Sequence, residues 1–225
     1  MLEEALYSFA VLFSMVCSLV VSIIGFNLRN SNLQYKFLYL YPLASFLQNL
    51  FTLIIDLTNV PSSQRNLMVG ISIYIFLLVE FYILYHFFSH SLNNVKSKRV
   101  LNLIRWIYPI LILTCWVPGN NPNSSKYVLY LIQAALVLFP VFLFVIELFK
   151  YPLQEDIRQV PAFWITSGVF FYFSATIPFF LMKDYLFLTT RGLKEGGIHS
   201  INQLCYAIMF LLINKGYKCY KKEIQ

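Results

Sequence analysis

Charge is what this chain has least of: Asp, Glu, Lys and Arg together make up 12% of its 225 residues, where a soluble domain carries about 25%. With 59% hydrophobic residues and a mean hydropathy of +0.66, that shortage excludes a water-soluble enzyme and a disordered chain. Cysteine is scarce as well. The four, Cys17, Cys115, Cys205 and Cys219, show no CxxC spacing, which excludes a disulfide scaffold and a thiolate metal site. Those within apolar stretches act as small hydrophobes, although Cys115 and Cys205 fall where they could meet.

Histidine is scarcer still, and it decides against a metal-dependent enzyme. His86 and His90 form an HxxxH pair on one helix face, and the third and last histidine is His199. Two helical ligands at i, i+4 are a weak candidate metal site, because a catalytic zinc takes three protein ligands. There is no GxSxG elbow and no pair of aspartates deep in an apolar run. The chain is expected to be no enzyme and to need no cofactor or metal.

What is present is long apolar runs. A helix needs about 20 apolar residues to cross roughly 30 Å of hydrocarbon, and seven stretches qualify: about 5–26, 37–56, 67–88, 101–117, 127–148, 162–182 and 198–214. Lipid offers the backbone no hydrogen-bond partner, so such runs must be helices. The short alternating segments of an outer-membrane barrel are absent. The expectation is an all-α polytopic membrane protein, one seven-transmembrane-helix bundle over residues 1–225. The first run opens on Glu3 and Glu4 where a signal peptide is basic, and is read as a retained helix.

The basic residues orient the bundle. Twelve of the 17 Lys and Arg, including Arg29, Lys36, Lys96, Lys98, Arg99, Arg105, Lys150 and Arg158, fall on one side, and Arg65, Lys126, Lys183, Arg191 and Lys194 on the other. The positive-inside rule puts the first set in the cytoplasm. The N-terminus is then outside, the C-terminus cytoplasmic, and the location a bacterial inner membrane. The net charge of +7 needs no nucleic acid, since basic residues flanking spans meet anionic lipid headgroups. Lys215, Lys218, Lys221 and Lys222 form the face toward the bilayer surface, and the place for a protein partner if one docks there. A homo-oligomer is the other association considered.

The connections are short. The longest are 149–161, with Pro161 suited to begin the sixth helix, and 183–197, read as an external glycine-rich loop. Pro42, Pro109, Pro140 and Pro178 fall within spans and are expected to kink them. Tyr35, Trp106, Trp116, Tyr127, Trp164 and Tyr217, near span ends, are read as interfacial anchors. Glu147 closes the fifth span beside Lys150, where an i, i+3 ion pair is expected.

One acid stands apart. Glu80 lies near the middle of the third span, and no basic residue occurs at its depth elsewhere. A charge there costs about 2.5–3.5 kcal/mol on insertion scales. Glu80 must be protonated, reached by water, or hydrogen-bonded to neutral partners. Gln48, Asn49, Gln133, Ser174, Thr176, Asn202, Gln203 and Tyr206 lie at middle to outer depth in other spans. A ligand or proton site built from Glu80 with Gln48, Asn49, Gln133, Asn202, Gln203 and Tyr206 is expected. Hydrogen bonds that only fix packing are the alternative account of the amides.

Three stretches carry a resemblance: IYIFLLVEFYILY over 73–85, PAFWITSG over 161–168 with FYFS over 171–174, and HSINQLCY over 199–206. In these the chain resembles an uncharacterised family of short seven-helix bacterial inner-membrane proteins. The resemblance implies the topology, singles out Glu80, Trp164, Gly168 and Asn202, and implies no activity. A lysine for a retinal Schiff base is missing from the middle of the last span, and the acid-arginine pair of seven-helix receptors is missing after the third. Three functions stay open. The first is a sensor or signalling partner subunit around Glu80, the second a small-solute or proton-coupled transporter or channel, and the third a structural or toxic membrane component.

Overall fold

Backbone groups that cannot reach water bond to one another, and in this chain they do so as helices. The computed structural model describes residues 2–28, 35–58, 60–115, 122–150, 156–189 and 195–224, with side chains for all of these except 2–4, 115, 122–127, 182–189, 195–199 and 222–224. Seven α-helices account for almost all of it: α1 (Leu2–Asn27), α2 (Leu40–Leu57), α3 (Ser62–Ser91), α4 (Val95–Cys115), α5 (Pro122–Lys150), α6 (Pro161–Thr189) and α7 (Glu195–Ile224). A single 3-10 turn covers Ile157–Gln159, and there is no strand among the described residues.

Among the described residues five helices are long and apolar enough to cross a membrane: Ala5–Asn27, Leu40–Leu57, Ser62–Ser91, Val128–Lys150 and Pro161–Leu181. The other two are more charged along their described length. α4 carries Lys96, Lys98, Arg99 and Arg105, and the last turns of α7 carry Lys215, Lys218 and Lys221.

The helices outrun the apolar stretches that mark them. The segment 183–197, expected as a loop, is helical in most of its length: α6 continues to Thr189 and α7 begins at Glu195, with 190–194 outside the described residues. Gly196 and Gly197 fall within the first turn of α7, where the cost of glycine is moderate. Pro161 does open α6. Pro42 is the third residue of α2, a position whose N–H has no intrahelical acceptor anyway, so it interrupts nothing there. Pro109, Pro140 and Pro178 are interior to α4, α5 and α6.

Contacts run α1–α2, α2–α3, α3–α5, α5–α6, α6–α7 and back from α7 to α1, closing a ring of six helices. α4 stays outside the ring and packs on α3 and α5. α7 makes its closest approaches through glycine. A Cβ at Gly25 of α1 would sit 2.8 Å from the Tyr217 ring, and one at Gly216 would meet Ile165 Cγ1 at 2.8 Å and the Pro161 carbonyl at 2.9 Å. At Gly168 the Met209 carbonyl stands 3.0 Å away. Small residues let helix backbones close up where lipid supplies no hydrophobic drive between helices. Ser14, Ser18 and Ser22, buried along one face of α1, extend that tight seam.

Two of the expected anchors are core residues. Tyr35 is 6% exposed and Tyr217 1% exposed, and the Tyr35 ring lies 4.5 Å from that of Tyr220. Position near a span end fixes depth alone; Tyr217 faces inward on α7, and Tyr35 does so from the turn that precedes α2. Trp106 is 75% exposed, and Trp116 and Tyr127 lie outside the described side chains. Glu147 also differs from expectation. Its carboxylate accepts the backbone N–H groups of Asn93 at 2.8 Å and Asn94 at 3.2 Å, orphan donors ahead of α4 that need an acceptor more than Lys150 needs a partner.

Candidate functional site

Glu80 is 2% exposed and points into the ring. Its Oε1 accepts the Tyr41 hydroxyl at 2.7 Å and the Tyr206 hydroxyl at 3.3 Å. Its Oε2 accepts Gln133 Nε2 at 2.6 Å. Gln133 is in turn fixed by Tyr108 of α4, whose hydroxyl donates to Gln133 Oε1 at 2.6 Å. Of the three ways to keep an acid in hydrocarbon, the fold uses neutral hydrogen-bond donors, and no cation bonds to Glu80 among the described residues. Five helices supply the group: α2, α3, α4, α5 and α7.

Aromatic rings wall it in. Phe81 stacks on Tyr108 at 3.9 Å and on Tyr85 at 4.0 Å, and Tyr206 meets Tyr172 edge-on at 4.6 Å. Tyr85 donates to the Leu136 carbonyl at 2.7 Å, so this ring too is held by a hydrogen bond. Low-dielectric walls strengthen each bond to the carboxyl and make any bond left unmade costly.

Above this network, toward the end of the bundle where α1, α3, α5 and α7 begin, lies a cavity of about 280 Å³. All six ring helices line it. Gln48, Asn49, Asn202, Gln203 and Tyr206, named from sequence as site residues, all face it. Ser45, Thr52, Tyr7, Tyr130 and Tyr172 add hydroxyls, and no charged side chain lines it among the described residues. Gln48 Nε2 donates to Ser72 Oγ at 3.2 Å, and Ser14 Oγ to Gln203 Oε1 at 2.7 Å. Asn202 Oδ1 and Ser45 Oγ are buried without a well-formed hydrogen bond among the described residues, Asn202 beside the Tyr172 hydroxyl and Ser45 beside that of Tyr206.

The expected residues therefore divide into two levels. Glu80 and Gln133 form a floor, the four amides line the space above it, and Tyr206 belongs to both. Sequence reading missed Tyr41 and Tyr108. For Tyr41 a signal existed: Tyr41, Ser45, Gln48, Asn49 and Thr52 recur at helical spacing on one face of α2. For Tyr108, one of 16 tyrosines, there was none. Ser174 and Thr176 take no part in the network, and Thr176 Oγ1 bonds back to the Phe173 carbonyl at 3.1 Å within its own helix.

The histidine pair lies near the C-terminal end of α3. The two rings are 4.3 Å apart, and His90 Nδ1 donates to the His86 carbonyl at 2.9 Å. No group of three potential metal ligands occurs among the described residues. At the far end of α7, Lys215 Nζ lies 3.5 Å from the centre of the Trp164 ring, whose Nε1 donates to the Arg158 carbonyl at 2.8 Å. Lys218 and Lys221 are exposed, and the side chain of Lys222 is outside the described residues. Cys17, Cys205 and Cys219 are free thiols, and Cys115 is among the side chains not described.

No protein-family model, no curated protein and no solved structure matches the chain. The resemblance in the three stretches rests on those residues alone.

Proposed function

We propose that this chain is a seven-span sensor of the cytoplasmic membrane, N-terminus outside, that receives a small ligand in the cavity and reports to a partner at its basic cytoplasmic face. The observation that carries the reading is Tyr206. Its ring lines the cavity while its hydroxyl makes the longest of the three bonds to Glu80, 3.3 Å. A ligand that engages that hydroxyl competes directly with the buried acid. A hydroxyl drawn off Glu80 leaves a carboxyl with two donors in place of three, which alters its hold on Tyr41 of α2 and Gln133 of α5.

α7 is the element that reports. It carries Asn202, Gln203 and Tyr206 at the cavity and, further along the same helix, Lys215, Lys218 and Lys221. A shift of one helix is a recognised way to join two distant sites. With the twelve-to-five bias of basic residues, the lysine end faces the cytoplasm and anionic lipid or an acidic partner.

The test pairs Glu80→Gln with Tyr206→Phe in the cell of origin, alongside Lys218→Glu and Lys221→Glu. All should fold, and all should change the same cellular output. Intact folding with an unchanged phenotype for the first two removes the network from the mechanism. A second reading, proton-coupled transport, draws on the same buried acid. Solute uptake into liposomes that depends on a pH gradient and vanishes in Glu80→Gln selects transport over sensing.

A further inference from the structure

The polar cavity has an apolar neighbour. Between α2 and α3, on the side facing away from the ring, lies a groove of about 510 Å³ lined by Ala44, Leu47, Phe51, Met68, Ile71 and Ile75, with Val79 at its end. Leu47, Met68 and Ile75 are 53%, 47% and 57% exposed, so in a membrane the groove opens on hydrocarbon. It follows α3 from Met68 to Val79, roughly 16 Å at 1.5 Å per residue.

Groove and cavity share two residues, Gln48 and Phe76. Both stand in the wall common to the two spaces, where Gln48 Nε2 donates to Ser72 Oγ of the groove at 3.2 Å. A polar pair in that position is odd for a lipid-facing wall, and it makes sense as a partition that can part. Inside stand amides and hydroxyls, with Asn202 Oδ1 and Ser45 Oγ buried and short of a well-formed hydrogen bond among the described residues. Each stands beside a tyrosine hydroxyl, Asn202 by Tyr172 and Ser45 by Tyr206, and a polar head can complete the bonding that these leave unfinished.

We propose that groove and cavity form one binding site for a single-chain amphiphile with an uncharged, hydrogen-bonding head, entering sideways from the bilayer between α2 and α3. The hydrocarbon chain lies in the groove, and a head of the polyol or amide class sits among Asn49, Asn202 and Gln203, within reach of Tyr206. Phosphate heads are disfavoured, because burying an anion where no Lys or Arg of the described residues lines the wall is costly. This selects against the bulk phospholipid of the bilayer. The inference rests on the sensing reading and gives its ligand a chemical class.

The experiment uses the full chain in phosphatidylcholine nanodiscs with a monoacylglycerol bearing a diazirine in its chain, and a diazirine phosphatidylcholine as control. After irradiation, the monoacylglycerol is expected to label Leu47, Phe51 and Ile75, saturably. Unlabelled monododecanoylglycerol should compete and dodecane should not, a result that needs no variant. Asn49→Leu and Asn202→Leu, far from the groove's lipid face, should cut that labelling about tenfold and leave the phosphatidylcholine pattern alone. Equal labelling by both probes, competition by dodecane, or indifference to both leucine variants overturns the inference. If labelling fails while Glu80→Gln still alters the cellular output, the ligand is water-borne and the sensing reading stands. If both fail, both are wrong.

Discussion

The two ends of this bundle use the same six helices for opposite purposes. At the lysine end, Gly25, Gly168 and Gly216 bring α7 against α1 and α6, and Tyr217 fills what space remains. At the other end the same helices present tyrosines and amides, and they stand far enough apart to leave a cavity of about 280 Å³. Glu80 lies at the boundary between the two. Closure by glycine and separation by long polar side chains are both local choices of residue size. Together they make a vessel closed on one side from a ring that hydropathy alone would leave uniform.

That contrast can be broken most forcefully at the closed end. Gly216→Val puts branched carbon where a Cβ already meets Ile165 and the Pro161 backbone. It should cost about 3 kcal/mol, read as a lowered unfolding midpoint in detergent, and a wild-type midpoint would show that the seam is loose. At the boundary, Glu80→Leu strips an acceptor from Tyr41, Tyr206 and Gln133 at once. A loss of about 2 kcal/mol is expected, and Glu80→Gln should recover roughly half of it because one amide oxygen still accepts.

Tyr108→Phe is milder. It removes the hydroxyl that orients Gln133 and should cost about 1 kcal/mol. Faster hydrogen exchange in α4 than in the ring helices would show that α4 is held on by this bond. Smallest is Asn49→Leu in the cavity wall, expected to change the midpoint by no more than about 0.5 kcal/mol. A large loss there would mean the cavity amides serve folding, and the two ends would no longer differ in purpose.

Much of this was legible in the residues. Apolar runs with few charges announce helices because lipid leaves the backbone no other partner. An acid without a cation at its depth announces a supporting network. Both readings reach Glu80, and depth-matching finds Gln133 and Tyr206 with it. Tyr108 was hidden because a tyrosine serves equally as anchor, core and donor. The reverse error arose at Tyr35 and Tyr217, which look like interfacial anchors and are buried. Glu147 seemed to belong to Lys150 on spacing, yet unbonded N–H groups from another part of the chain outcompeted it.

The sequence alone determined that the chain folds as apolar helices and that a lone acid among them must be satisfied by neutral groups. Hydropathy and spacing act along each helix, so they fix length and depth. Only the tertiary structure decided that α4 stands outside the ring, that Tyr41 and Tyr108 complete the network, and that a polar cavity and an apolar groove share a wall at Gln48. Those outcomes depend on rotation about each helix axis and on which helices become neighbours. Both are set by packing between segments distant in the chain.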